Sequence, residues 1–187
     1  MKKELWLAAG VALAAVGCST PRTAQTVLQD AQKSLGTVSS IQYSGTGMSA
    51  FAGQAQTAGD PWPVRELSGF TATVNYDQKS AKTELNFAQP TFGGQQQNTE
   101  VNGDKAWNVG PNGPVPQLAN AEARQLLIWL TPQGFVKAGL AASDAALSGT
   151  ETAPVISFTT MGKYKFVGTL DAQNMVTKIE TKRPDSV

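Results

Sequence analysis

Residues 70–87, FTATVNYDQKSAKTELNF, decide the fold of this 187-residue chain. Apolar and polar side chains alternate on both sides of a short polar turn at residues 77–79. Alternation with a period of two is typical of a β-strand with one buried and one solvated face. Two such runs around a tight turn predict an antiparallel hairpin. Its buried face is predicted to carry Phe70, Ala72, Val74, Tyr76, Ala81, Thr83, Leu85 and Phe87.

The flanking sequence extends the β pattern in both directions. Residues 40–50 alternate in the same way, whereas residues 51–68, rich in Ala, Gly, Gln and Pro, predict a loop. Downstream, QQNTEV and KAWNV surround Asn102-Gly103-Asp104, and Asn-Gly favours the positive φ of a two-residue hairpin turn. The stretch GPNGPVP is expected to end this hairpin. Three final strands are predicted in VISFTTM, KYKFVGTL and MVTKIETK.

Two segments have helical character instead. Residues 24–36 place apolar side chains at helical spacing, with Thr23 as the expected cap and Gly36 as the stop. A helical insert is predicted at about residues 120–147, with Asn120 as its cap and a restart at Pro132.

Within this insert, residues 126–130 read LLIWL and are apolar all round, so water is not expected on any side of them. We therefore expect the insert to plug the concave face of the sheet, against Phe70, Val74, Leu85 and Trp107.

Together these elements predict an α+β fold with mainly antiparallel strands. The expected architecture is a curved, open half-barrel sheet with an N-terminal helix and a helical insert on its concave face. Residues 24–187 are predicted to form a single domain, either whole or without its last strands.

The N-terminal region predicts export. Two lysines precede a twelve-residue apolar run, which is too short to span a bilayer as a helix but suits a secretory signal. The run ends in Ala15-Val16-Gly17-Cys18, which resembles the lipobox of bacterial lipoproteins, although that family usually has leucine where Ala15 stands. The resemblance implies that residues 1–17 are a signal peptide, that Cys18 carries the lipid anchor, and that residues 18–23 form a tether. Ser19 in place of aspartate favours the outer membrane over the inner one, on the periplasmic face of the envelope.

The amino-acid composition argues against several classes of function for this protein. The chain has no histidine and one cysteine, which removes His-based triads and His-based zinc sites. The signal peptide holds two of the 15 basic residues and one of the 14 acidic ones, so the rest is formally neutral. A neutral domain lacks the electrostatic footprint of a nucleic-acid-binding protein. We expect no enzyme activity, no cofactor, no metal and no nucleic-acid partner.

The predicted layout resembles the lipoprotein-carrier fold, which is used by periplasmic lipoprotein chaperones and by envelope lipoproteins that hold acyl chains. Three stretches are also similar to the region that precedes the hydrolase domain in some exported metallo-β-lactamase-fold proteins. The zinc motif of that family, of the HxHxDH kind, is absent here, so no catalytic residue is carried over. These stretches are IQYSGTGMSAFAGQAQTAGDPWP (41–63), FGGQQQNTEVNGDKAWNVGPNGP (92–114) and LIWLTPQGFVKAGLAA (127–142).

Two functions remain open at this point. The first is a non-enzymatic, membrane-anchored envelope lipoprotein that binds an acyl-like ligand or a protein partner on its curved sheet. The second is a detached or truncated accessory domain that supports an exported hydrolase partner. The large apolar residues either line a ligand pocket or simply form the core. The candidate ligand-binding residues are Trp107, Leu126, Trp129, Leu130 and Phe135.

Overall fold

A computed structural model describes residues 22–50, 54–90 and 95–182. The N-terminal segment with Cys18 therefore lies outside the described residues. The helices are α1 (Ala24–Leu35), α2 (Ala121–Trp129) and α3 (Pro132–Ala141), with a short 3-10 helix at Leu118–Asn120 before α2. The strands are β1 (Ser40–Ala50), β2 (Val64–Asn75), β3 (Ser80–Phe87), β4 (Gln96–Asn102), β5 (Lys105–Gly110), β6 (Gly113–Pro116), β7 (Ala146–Gly149), β8 (Pro154–Thr160), β9 (Tyr164–Leu170) and β10 (Val176–Thr181).

The strands form two antiparallel meanders. The larger sheet has the order β1-β2-β3-β4-β5-β6, and the smaller one has the order β10-β9-β8-β7. Within each sheet, strands that are neighbours in sequence are neighbours in space, and the sheet remains open. The predicted fold class, α+β with mainly antiparallel strands in an open half-barrel arrangement, is confirmed.

The hairpin that decided the fold is confirmed in register. Val74 lies opposite Ala81, and Ala72 lies opposite Thr83. Ala72, Val74 and Tyr76 are all buried, as the alternation predicts. The second hairpin also forms, but its two turn residues are Gly103 and Asp104, since Asn102 still pairs with Lys105. Gly103 has φ of 57°, a conformation that glycine adopts without the cost a Cβ imposes.

Two of the three α-helices in the described residues begin with a side-chain cap, and the cap predicted at Thr23 is confirmed. Thr23 caps α1 by accepting a hydrogen bond from the Thr26 amide, and Thr131 caps α3 by accepting one from the Gly134 amide. The prediction for Asn120 is wrong, because its side chain makes no capping bond to α2. Asn120 already has helical backbone angles as the last residue of the 3-10 helix, so it is not in the extended conformation of a cap.

Three predicted boundaries are wrong for a common reason. The helical insert ends at Ala141, and residues 146–149 form β7 instead of helix. β2 begins at Val64, inside the predicted loop, and the GPNGPVP stretch contains β6. These additional strands are short or lie at the ends of longer ones. β6 and β7 are rich in Gly, Pro and Ala, which have low β propensity, so local composition carries little signal for them.

The helices lie between the two sheets and build two hydrophobic clusters. α1 and α3 pack on the smaller sheet, where Phe135 contacts Phe158 with ring centroids 4.9 Å apart. α2 packs on the larger sheet through Ala121 and Ile128. One turn of α2 thus serves both clusters, because Leu126 belongs to the first and Ile128 to the second.

Close packing in the first cluster depends on glycine. A Cβ placed on Gly168 of β9 would overlap the ring of Phe135, which is fully buried. The aromatic ring therefore lies directly on the strand backbone. In the described residues, no helix combines the length and the apolar character needed to cross a bilayer.

Candidate functional site

The face of the larger sheet that carries Val74, Val101 and Ala106 faces α2, and we call it the inner face. Strand register arranges its side chains in rows that cross the sheet. The first row lies under α2 and joins the second hydrophobic cluster. The second and third rows extend beyond the helix. The first row is Ile41, Val74, Ala81, Val101 and Ala106; the second is Tyr43, Ala72, Thr83, Thr99, Asn108 and Val115; the third includes Phe70, Leu85 and Gln97.

A cavity of about 320 Å³ opens between α2 and the second and third rows. We call it the apolar cavity. Leu127 and Leu130 border it on the helical side, and Tyr43 and Phe70 border it on the sheet side. Leu127 is 57% exposed and Tyr43 is 44% exposed, which is unusual for large apolar side chains that face one another across a groove.

The aromatic end of the apolar cavity is ordered by a ring contact. The centroids of Tyr43 and Phe70 are 5.6 Å apart, within the range of favourable aromatic pairs. Burial raises the pKa of the Tyr43 phenol above its ordinary value. Tyr43 is therefore neutral at physiological pH and presents an apolar ring with one hydroxyl.

A second cavity, of about 930 Å³, continues from the first toward β4, β5 and β6. We call it the amide cavity, because seven of its twelve lining residues are Asn or Gln. Thr99 borders both cavities. By register, Gln97, Asn108 and Val115 lie on the inner face with Thr99, whereas Asn86, Gln96, Asn98 and Val109 lie on the outer face, so the amide cavity is lined from both faces of the sheet. The two cavities meet at Thr99, and the first has a mainly apolar lining whereas the second has a polar one.

Arg124 of α2 stands at the apolar cavity and fastens the helix to the sheet. Its guanidinium donates to the backbone oxygens of Glu100 and Trp107, at 3.0 and 2.7 Å, and to Oδ1 of Asn108 at 2.6 Å. Burial lowers the pKa of Arg124 below its usual value, yet the group stays charged near neutrality. Its charge is committed to three protein acceptors.

A buried hydrogen-bond network fixes the junction between α2 and α3. The hydroxyls of Tyr76 and Thr131 lie 2.8 Å apart, and Thr131 Oγ1 also donates to the Ile128 carbonyl. The Gly134 amide donates to the same Thr131 oxygen. The side-chain amide of Gln125 donates to the Lys79 carbonyl in the β2–β3 turn. These bonds hold the helical layer at one end of the inner face and leave the other end open.

The five candidate ligand residues do not lie at one site in the structure. Leu130 borders the apolar cavity, and Trp129 packs against both clusters and borders a third, shallow cavity of about 540 Å³. Leu126 and Phe135 are 1% and 0% exposed, so we assign them to the core.

The expectation that the insert packs against Trp107 is wrong, because register places that side chain on the opposite face from Ala106. The expectation for Val74 is confirmed, since it shares a cluster with Ile128.

Sequence reasoning missed two residues of the groove and overstated the burial of one segment. Leu127 was expected to be shielded on every side, but α2 covers only the first row, so this side chain faces the open part of the groove. Tyr43 is not among the candidate ligand residues. The alternation in residues 40–50 predicts that Tyr43 shares a strand face with Ile41, but it does not show that α2 leaves Tyr43 uncovered.

Among the described residues, no group of three or more His, Cys, Asp or Glu side chains could hold a metal ion. The apolar cavity has Tyr43, Glu100 and Arg124 as its ionisable lining residues, and three of the five N–H donors of Arg124 bond to protein acceptors. No family model, no curated protein and no solved structure matches this chain.

Proposed function

We propose that this protein is a non-enzymatic envelope lipoprotein that binds an acyl-like chain in the apolar cavity. One observation carries the proposal: Leu127 and Tyr43, both large and partly exposed, face one another across a groove whose floor is apolar. Covering such side chains releases roughly 1.5–3 kcal/mol for each fully buried residue. The lipid anchor on Cys18, the export route and the outer-membrane location are parts of the same proposal, supported by the N-terminal sequence.

The shape of the groove favours a flexible, elongated ligand. Its floor crosses β1 to β4, which at strand spacing corresponds to about 14 Å. A volume of about 320 Å³ lies at the lower end of the range typical of small-molecule sites, which is roughly 300–1,000 Å³. Aliphatic, aromatic and threonine side chains make up most of its lining, with Glu100 and Arg124 as its charged residues. A single hydrocarbon chain fits these properties.

A cavity-filling variant tests the proposal. Thr83 lies in the middle of the floor, so Thr83→Phe should fill the apolar cavity while it adds apolar surface. Thr71→Phe is the matched control, because Thr71 lies on the adjacent strand and on the opposite face, opposite Glu84. The neutral dye N-phenyl-1-naphthylamine should bind wild type and Thr71→Phe with enhanced emission, and straight-chain twelve-carbon amphiphiles should displace it. Binding to Thr83→Phe should be at least about tenfold weaker.

Equal dye binding by the two variants would show that the apolar cavity is not the site. No dye binding by the wild-type protein would remove the ligand-binding proposal. The alternative, an accessory domain for a hydrolase partner, would then be the better hypothesis. It can be tested by co-purification with an exported hydrolase encoded next to this chain.

A further inference from the structure

We infer that the ligand carries an uncharged head group with several hydroxyl or amide groups, and that the amide cavity holds it. This inference rests on the proposed function, because it places the hydrocarbon tail in the apolar cavity. Thr99 borders both cavities, so they are adjacent and one amphiphile can span them. The tail would lie across β1 to β4 and the head over β4 to β6.

The lining chemistry selects for neutral, hydrogen-bonding groups. Seven of the twelve lining residues are Asn or Gln, and none of the twelve is ionisable. Register places Gln97 and Asn108 on the inner face and Asn86, Gln96 and Asn98 on the outer face, so these amides border the cavity from both sides of the sheet. A side-chain amide offers two donors and one acceptor oxygen, so it can pair with a hydroxyl in either direction. A hydroxyl-rich head group is therefore well served by this surface. A charged head group would lose solvent without gaining a counter-charge, which is costly in a partly enclosed site.

The nearest cation does not change this conclusion. Arg124 borders the apolar cavity, but three of its five N–H donors are directed to the Glu100 and Trp107 carbonyls and to Asn108. An anionic head group would therefore share the guanidinium with three protein acceptors. Glu100 lies opposite Trp107, on the outer face of the sheet by register, so its carboxylate is not placed to recruit a cationic head.

Gln97 is the residue best placed to test the head-group site. It lies on the inner face, opposite Leu85 of the third row, and it borders the amide cavity. Gln97→Met keeps the length of the side chain and removes its donors and acceptor. Gln78→Met is the matched control, because Gln78 is exposed in the β2–β3 turn and lies outside the lining of both cavities.

The experiment compares three probes with the same twelve-carbon chain, each below its micelle concentration: dodecyl maltoside, lauric acid and dodecyltrimethylammonium. Displacement of N-phenyl-1-naphthylamine measures their affinities. We expect dodecyl maltoside to bind at least about tenfold more tightly than either charged probe. Gln97→Met should weaken the maltoside about 3- to 10-fold through lost hydrogen bonds, and it should leave dye binding unchanged. Gln78→Met should match wild type.

The outcomes distinguish this inference from the proposal beneath it. Equal affinities for the three probes, or preference for a charged one, would overturn the neutral head group and leave the acyl site intact. An unchanged maltoside affinity in Gln97→Met would overturn the role of the amide cavity. Absence of dye binding in the wild-type protein would overturn both.

Discussion

Leu126 and Leu127 are adjacent on α2, but shortening each to alanine should have a different main effect. Leu126→Ala should mainly lower the stability of the fold, and Leu127→Ala should mainly weaken ligand binding. Leu126 is 1% exposed in the cluster formed with α1, α3 and the smaller sheet, whereas Leu127 is 57% exposed at the apolar cavity. The substitution is the same and the helix is the same, so helix propensity cancels between the two variants. The difference measures the surroundings of each side chain.

The magnitudes follow from burial. Leu126→Ala leaves a cavity in a packed core and should lower the free energy of unfolding by about 2–5 kcal/mol. Leu127 has about two fifths of its surface out of water, which corresponds to roughly 0.6–1.2 kcal/mol at the usual value for a buried side chain. We therefore expect the first variant to cost at least about 1 kcal/mol more than the second.

Urea denaturation followed by far-ultraviolet circular dichroism measures both values, with equal slopes required for a valid comparison. Dye binding should show the reverse order: Leu127→Ala should weaken N-phenyl-1-naphthylamine binding several-fold, while folded Leu126→Ala should bind as wild type. Equal losses of stability in the two variants would refute the assignment of Leu126 to the core and Leu127 to the groove. So would a normal dye affinity in Leu127→Ala.

Three further predictions concern other parts of the chain. Gly168→Ala should lower the free energy of unfolding by about 1–3 kcal/mol, because the added Cβ would overlap the buried ring of Phe135. Gly45→Ala is the control: its Cβ would meet nothing within 4 Å, so the urea midpoint should stay nearly unchanged. Equal urea midpoints for the two variants would contradict the packing argument. The Asp144 carboxylate accepts hydrogen bonds from Thr159, which lower the pKa of Asp144 below its ordinary value of 3.8, so its contribution to the stability of the fold is complete above pH 3.8 and is lost as the pH falls through the lowered pKa. Asp144→Asn should therefore make stability depend less on pH in the acid range. An unchanged pH dependence in the acid range would show that Asp144 does not contribute in this way. Cys18→Ala should remove the lipid-modified mass and the membrane-bound fraction in its native host, and a variant that keeps both would disprove the lipobox interpretation.

The sequence by itself determined the strand hairpins and the fold class. Alternation in residues 70–87 has one structural solution with a dry face and a wet face, and the register of β2 with β3 follows it. Local chemistry also determined the cap at Thr23 and the restart at Pro132, because a cap needs only a side-chain oxygen and the amides of the next turn. These features depend on residues that are close in sequence.

Tertiary structure alone decided which apolar residues form core and which border the groove. Leu126 and Leu127 are the same residue type on one helical turn, and their burial differs because packed neighbours surround the first and an open cavity borders the second. Trp107 lies on the outer face because strand pairing places its neighbour Ala106 on the inner face. The groove itself exists because α2 covers only the first row of the inner face. That coverage depends on long-range contacts, such as Arg124 with β4 and β5, whose partners are 16 to 24 residues away and leave no periodic signal in the sequence.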